Sequence, residues 1–218
     1  MAGLICLQGG GEFSVGCRDM DAQLMVRAPG PVAVIALASP QGEAYRRTNA
    51  DGVSHFRRLG AEAFAVPDPR EQDVGDTLRD VGLVVLPGGS PSGLLEALDT
   101  TGLGDVLRGH VAGGGAVMGA SAGAMVLGSW TVLPDDGFRV APGLGIAERV
   151  VVVPHWRGPR ADWLKAIDAK VDNALVLGIA EESGILLEDG QLTALGQRPS
   201  LAVREDAVVG VGHTIRLT

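Results

Sequence analysis

The sequence predicts an α/β fold, a doubly wound and mostly parallel sheet with helices on both faces, and three observations carry that prediction. Continuous apolar runs at residues 32–38, 81–86 and 116–118 read as strands covered on both faces, the pattern of a parallel sheet. Stretches with helical spacing separate these runs, so strand and helix alternate along the first two thirds of the chain. The stretch from Ala116 to Gly128 runs from a buried strand through a small-residue turn straight into a helix, a corner that holds one side chain, Ser121, clear of the sheet.

Composition bounds the rest. With 218 residues, 46% of them hydrophobic, the chain can bury a substantial core, and one domain over residues 1–218 is expected. The net charge of -8 opposes a nucleic-acid partner, which requires clustered Lys and Arg. Cys6 and Cys17 lack metal-type spacing and read as reduced thiols, so neither a metal nor a cofactor is expected. The N-terminus has no basic leader, and no apolar run approaches the roughly 20 residues that span a bilayer. A cytoplasmic protein without a membrane partner is the expectation, as monomer or homodimer.

In order, residues 3–7 form a short strand that ends in the loop Gln8-Gly9-Gly10-Gly11-Glu12-Phe13-Ser14. The loop lacks a P-loop lysine and the dinucleotide spacing, so it reads as a structural turn beside a site rather than a phosphate cradle. Residues 19–27 suggest a helix, 32–38 a strand, and 43–59 a helix with Arg46, Arg47, Arg57 and Arg58 on its wet side and His55 as a surface residue. A strand at 63–66, a helix at 72–79 and a buried strand at 81–86 follow. That strand meets Pro87-Gly88-Gly89-Ser90-Pro91-Ser92-Gly93, before helical patterns at 94–98 and 103–111. Beyond the Ser121 corner come a turn at 132–137, a strand at 150–153, a helix at 161–170 and a strand at 174–179. Short strands at 185–187, 192–195, 201–203 and 207–211 make a β-rich C-terminal margin.

Four places could carry chemistry. Gly119 and Gly123 let strand and helix approach closely around Ser121, which is either a nucleophile or a buried turn serine. In the first case the Ala122 amide points to where an oxyanion forms. The glycine pair Gly88-Gly89 at a strand's carboxyl end could supply a second donor, and Ser90 or Ser92 either a substrate contact or a helix N-cap. His155, at the exit of the 150–153 strand beside Trp156, is placed to act as a general base for a serine, against the alternative of a structural histidine.

Several segments, in this order, resemble the aspartyl dipeptidase (peptidase E) and cyanophycinase group of serine peptidases. They are Gly9 to Glu12, Arg57 to Glu62, Leu86 to Gly89, Gly119 to Gly123, Pro142 to Gly145, Pro154 to Trp156 and Leu177 to Glu182. The resemblance implies a class I glutamine amidotransferase-like fold with Ser121 as nucleophile, His155 as base, and Glu181 as the acid that orients it. Asp135, Asp136 and Glu182 are the other candidates for that acid. It also implies Gly89 and Ala122 as oxyanion donors, with Gly88, Ser90, Ser92, Trp156, Arg157 and Arg160 around the substrate. Arg157 or Arg160 could clamp a carboxylate, or lie solvated on a helix flank. The chain departs from the family at Ser90-Pro91-Ser92, where Asn is usual, and at Trp156, where Phe is usual.

The function these readings imply is hydrolysis of short peptides through an acyl-enzyme, with Asp at or next to the scissile bond. A β-aspartyl peptidase or carboxypeptidase on the same site is the alternative within the class. Two readings of other classes stand beside it. Glutamine amide hydrolysis would normally use a thiolate where this chain has Ser121. A binding protein on a retired hydrolase scaffold would need no reactive serine.

Overall fold

A computed structural model describes residues 3–216 and bears out the α/β class, but it divides the strands between two sheets. In the first sheet, β1 (Leu4–Gln8), β2 (Val32–Val34), β3 (Ala63–Ala65), β4 (Leu83–Leu86) and β5 (Ala116–Ala120) run parallel in the order β1-β5-β4-β2-β3. β10 (Ser183–Glu188), β11 (Gln191–Gly196) and β14 (Thr214–Arg216) continue it antiparallel beyond β1. The second sheet holds β6 (Gly128–Leu133), β7 (Arg139–Pro142), β8 (Ala147–Val153), β9 (Leu175–Gly178), β12 (Ser200–Ala202) and β13 (Ala207–Val209). Within it β6, β8 and β9 are parallel neighbours.

Alternation along the central strands explains the two apolar layers. Leu4 and Cys6 of β1, Leu83 and Val85 of β4, and Met118 of β5 face a layer closed by Met20 and Leu24 of α1 (Arg18–Arg27) and Phe56 of α2 (Glu43–Arg58). Their neighbours Ile5, Leu7, Val84, Leu86 and Val117 point the other way, into the layer shared with the second sheet. Both faces of the central strands are therefore buried, which is why their sequence is continuously apolar. The remaining helices are α3 (Pro91–Thr100), α4 (Leu103–Ala112), α5 (Ala122–Leu127) and α6 (Ala161–Asp168).

Three expectations are corrected. The 32–38 run is strand only to Val34; the buried remainder turns away, with Asn49 accepting the Ala36 amide proton and Ala38 accepting that of Ser90. The helix expected at 72–79 is a single 3-10 turn, Asp76–Leu78. His55 is no surface residue. It is buried against Phe13 and Phe56, and its Nε2 lies 2.7 Å from Oδ2 of Asp21, itself without exposure. The arginines Arg57 and Arg58 set the helix's wet face, and His55 falls just inside its edge.

Gln8, the last residue of β1, completes this buried group by donating through Nε2 to Asp21 Oδ1 at 2.6 Å. Burial pushes the Asp21 carboxyl above its usual range, against the pull of the hydrogen bonds from His55 and Gln8. Removing the acid strands two polar partners in an apolar layer. Asp21→Ala should therefore lower stability by about 3–5 kcal/mol in urea unfolding; a loss below about 1 kcal/mol would mean that the group is not structural.

Candidate functional site

The carboxyl ends of β5 and β8 and the crossing from β9 to β10 meet at one edge of the two sheets. Ser121 stands between β5 and α5 with φ 49° and ψ -110°, a conformation that costs a non-glycine residue on the order of 1–3 kcal/mol. Small neighbours make the corner feasible: a side chain on Gly119 would strike Gly123, and one on Gly123 would strike the Leu86 carbonyl. His155, one residue after Pro154 at the end of β8, also has positive φ, at 50°. Its ring brings Nε2 to 2.8 Å from Ser121 Oγ and Nδ1 to 3.0 Å from Glu181 Oε1. With the proton on Nδ1, the imidazole donates to Glu181 and accepts from the Ser121 hydroxyl, the arrangement by which a serine loses its proton as it attacks a carbonyl.

Glu181 is an exposed acid whose pKa is lowered, first by the hydrogen bond from His155, which outweighs the opposing effect of burial, and further by the Arg157 charge. The Arg157 guanidinium lies 3.5 Å from the same oxygen with its side chain 77% exposed, so this pair is largely screened. The other candidate acids are elsewhere. Asp135 accepts the hydroxyls of Ser90 at 2.5 Å and Ser92 at 2.7 Å. Although burial pushes its pKa upward, those hydrogen bonds outweigh it and hold the carboxyl below the usual range. Asp136 pairs with Arg139, and Glu182 accepts the Ser14 hydroxyl at 2.7 Å.

The remaining predicted residues fall into two groups. The Ala122 amide is the first of α5, where no intrahelical acceptor exists, and neither it nor the Gly89 amide has a hydrogen-bond partner among the described residues. Gly88 differs: its amide donates to Glu12 Oε1 at 2.7 Å. Ser90 is the N-cap of α3, accepting the Gly93 amide proton, and both Ser90 and Ser92 are held by Asp135 rather than turned toward Ser121. Trp156 lies on Gly178, where any side chain would overlap its indole. Arg160 stacks its guanidinium 4.8 Å from the Trp163 ring centre and donates to the Pro154 carbonyl, so its head is engaged within the fold. A cavity of about 530 Å³ opens beside His155, lined by Arg157, Gly158, Pro159 and Arg160. Arg157 is the cation that presents an exposed head to it.

The glycine loop after β1 matters more than a turn beside a site. The carbonyl of Gln8 accepts the Ser121 amide proton at 3.0 Å, Gly9 that of His155 at 2.8 Å, and Gly10 that of Glu182 at 2.8 Å. A side chain on Gly9 would strike the Ala180 carbonyl, and one on Gly10 the His155 ring. Sequence reasoning did not identify this clamp, nor the position of Glu12; the run of three glycines before an acid was the signal available.

The model for peptidase family S51 matches residues 35–195, most of the chain and all three residues of the Ser121-His155-Glu181 relay. This chain belongs to peptidase family S51. It is a serine peptidase. As an S51 chain it superposes on a peptidase from an acI-B1 Actinobacterium with a TM-score of 0.86 and 21% identity, covering 100% of this chain and 98% of the other. A putative peptidase E protein from Listeria monocytogenes EGD-e matches with a TM-score of 0.70 and 15% identity, over 90% of this chain and all of that one. At these identities the two structures support the fold. A pyridoxal 5'-phosphate synthase subunit PdxT from Leifsonia xyli subsp. xyli is 37% identical over 91 residues, 42% of this S51 chain and 43% of the relative, so the match spans less than half of that protein. The Gly10 contact yields a direct expectation for this S51 peptidase. Gly10→Ala, at φ 120° and against the imidazole, should remove most peptidase activity while far-UV circular dichroism stays that of the parent; full activity would show that the ring does not need this contact.

Proposed function

We propose that Ser121, His155 and Glu181 act as the catalytic triad of an exopeptidase that hydrolyses short peptides with Asp at or next to the scissile bond. The observation that carries the triad is the unbroken relay of 2.8 Å and 3.0 Å from hydroxyl to imidazole to carboxylate. Ser121 Oγ attacks the scissile carbonyl, and His155 Nε2 takes the hydroxyl proton. His155 then returns that proton to the departing amine as the C–N bond breaks. Water, deprotonated by the same imidazole, hydrolyses the ester and restores Ser121. The amides of Ala122 and Gly89, both without a protein partner among the described residues, would hold the oxyanion. Glu181 keeps the proton on Nδ1 and favours the imidazolium as it forms.

Two features favour a short acidic substrate. The cavity beside His155 is about 530 Å³, room for a small group, and the exposed cation on it is Arg157, suited to a carboxylate. Ser121→Ala should lower kcat about 10⁶-fold and Glu181→Gln about 10²–10⁴-fold, measured on aspartyl dipeptides. A fluorophosphonate should label the parent at Ser121 in a one-to-one ratio by intact mass. Parent-like hydrolysis by Ser121→Ala would remove the assignment of the nucleophile, and equal rates on Asp-Leu and Leu-Leu would remove the preference for Asp.

A further inference from the structure

Glu12 has a position that the triad does not explain. A Cβ built on Gly88 would stand 2.8 Å from Glu12 Oε1 and 3.1 Å from Ser121 Cβ, so the carboxylate lies within one side chain's breadth of the nucleophile's base. Oε1 accepts the Gly88 amide proton at 2.7 Å, which fixes the carboxylate beside the Gly88-Gly89 turn. Glu12 is half-buried, and among the described residues no Lys, Arg or His forms an ion pair with it. Oε2 has no hydrogen-bond donor among them.

An uncompensated anion at this place works against the reaction. An oxyanion forming over the Ala122 and Gly89 amides would be repelled by it, and more strongly once a substrate has displaced water. The repulsion becomes attraction if the substrate brings a cation of its own to that spot. In a peptide cleaved after its first residue, the free α-ammonium is two bonds from the scissile carbonyl carbon, within reach of a carboxylate set beside the nucleophile. We propose that Glu12 is the receptor for the substrate's free α-amino group, so that the site takes peptides with an unblocked N-terminus. This rests on the serine peptidase reading above and adds its polarity: the N-terminal residue sits between Glu12 and Ser121, and the chain beyond the scissile bond leads away from Glu12. Such a receptor also closes the non-primed side after one residue, which excludes carboxypeptidase action on longer chains.

The test compares aspartyl-p-nitroanilide with N-acetyl-aspartyl-p-nitroanilide, which share the scissile bond and differ in the charge at the amine. The parent should favour the free amine by about 10- to 100-fold in kcat/KM, the worth of a hydrogen-bonded charge pair. Glu12→Gln keeps an oxygen to accept the Gly88 amide proton and loses the charge, so the ratio should fall to within about threefold of unity. A pH series gives an independent reading. For the parent on the free amine, kcat/KM should decline as the substrate ammonium deprotonates, near pH 8 for an α-amine. The interaction exists below that pKa and is lost above it, so neither the acetylated substrate nor Glu12→Gln should show this decline. Equal kcat/KM on both substrates with the parent, or an unchanged ratio in Glu12→Gln, would overturn the proposal while labelling of Ser121 leaves the peptidase reading intact. No turnover of either substrate together with no labelling of Ser121 would overturn both.

Discussion

Everything in the site depends on three main-chain hydrogen bonds at the end of β1. Successive carbonyls of Gln8, Gly9 and Gly10 accept the amide protons of Ser121, His155 and Glu182, so one short loop sets the positions of three segments from different parts of the fold. Main-chain bonds of this kind do not depend on rotamers, and all three residues they hold, Ser121, His155 and Glu182, stand at positive φ. The loop is in turn held from behind, because Gln8 is tied through its side chain to Asp21 and by Asp21 to His55. The buried polar group and the exposed site are thus two sides of the same residue.

That arrangement explains why the second sheet exists where it does. β8 and β9 deliver His155 and Glu181 from one sheet, while β5 delivers Ser121 from the other. The chain returns to the first sheet immediately after Glu182, as β10 pairs antiparallel with β1. Glu181 therefore lies in the crossing between sheets, a segment too short to move independently of either. Its neighbour Glu182 is pinned at both main chain and side chain, by Gly10 and by Ser14. Fixing Glu182 fixes the direction in which Glu181 points.

Much of this was legible in the sequence, and the exceptions share a cause. Apolar runs gave the parallel strands because burial on both faces leaves a continuous pattern, and Gly119 with Gly123 gave the elbow because only glycine fits there. β6 and β7 were not anticipated, since residues 132–137 read as a turn and strand character there comes from partners in other segments, β7 and β8 for β6, which no local pattern states. His55 was misplaced for the same reason: its burial comes from Phe13 and Asp21, far away along the chain. The relay of Ser121, His155 and Glu181 could be named from motif order, yet the exclusion of Asp135 needed the contact with Ser90 and Ser92, which no spacing rule contains.

The exposure of the relay decides how it can work. His155 and Glu181 have side chains 41% and 44% exposed, so water screens the attraction between carboxylate and imidazolium, and charge alone contributes little. In the proposed triad Glu181 would supply direction: its hydrogen bond at Nδ1 favours the tautomer that leaves Nε2 free to accept from Ser121. Direction requires a rigid frame, and the frame is the main-chain clamp from β1 together with the glycines that let the ring and the elbow approach it. If the proposed triad operates, a lost methyl-sized space, as at Gly10, costs more than a lost surface charge, because the ring that is displaced would carry the proton. Two side chains of opposite charge stand near the relay, Glu12 at the Gly88 amide and Arg157 beside Glu181, and under the proposed reading they would sort substrates by charge.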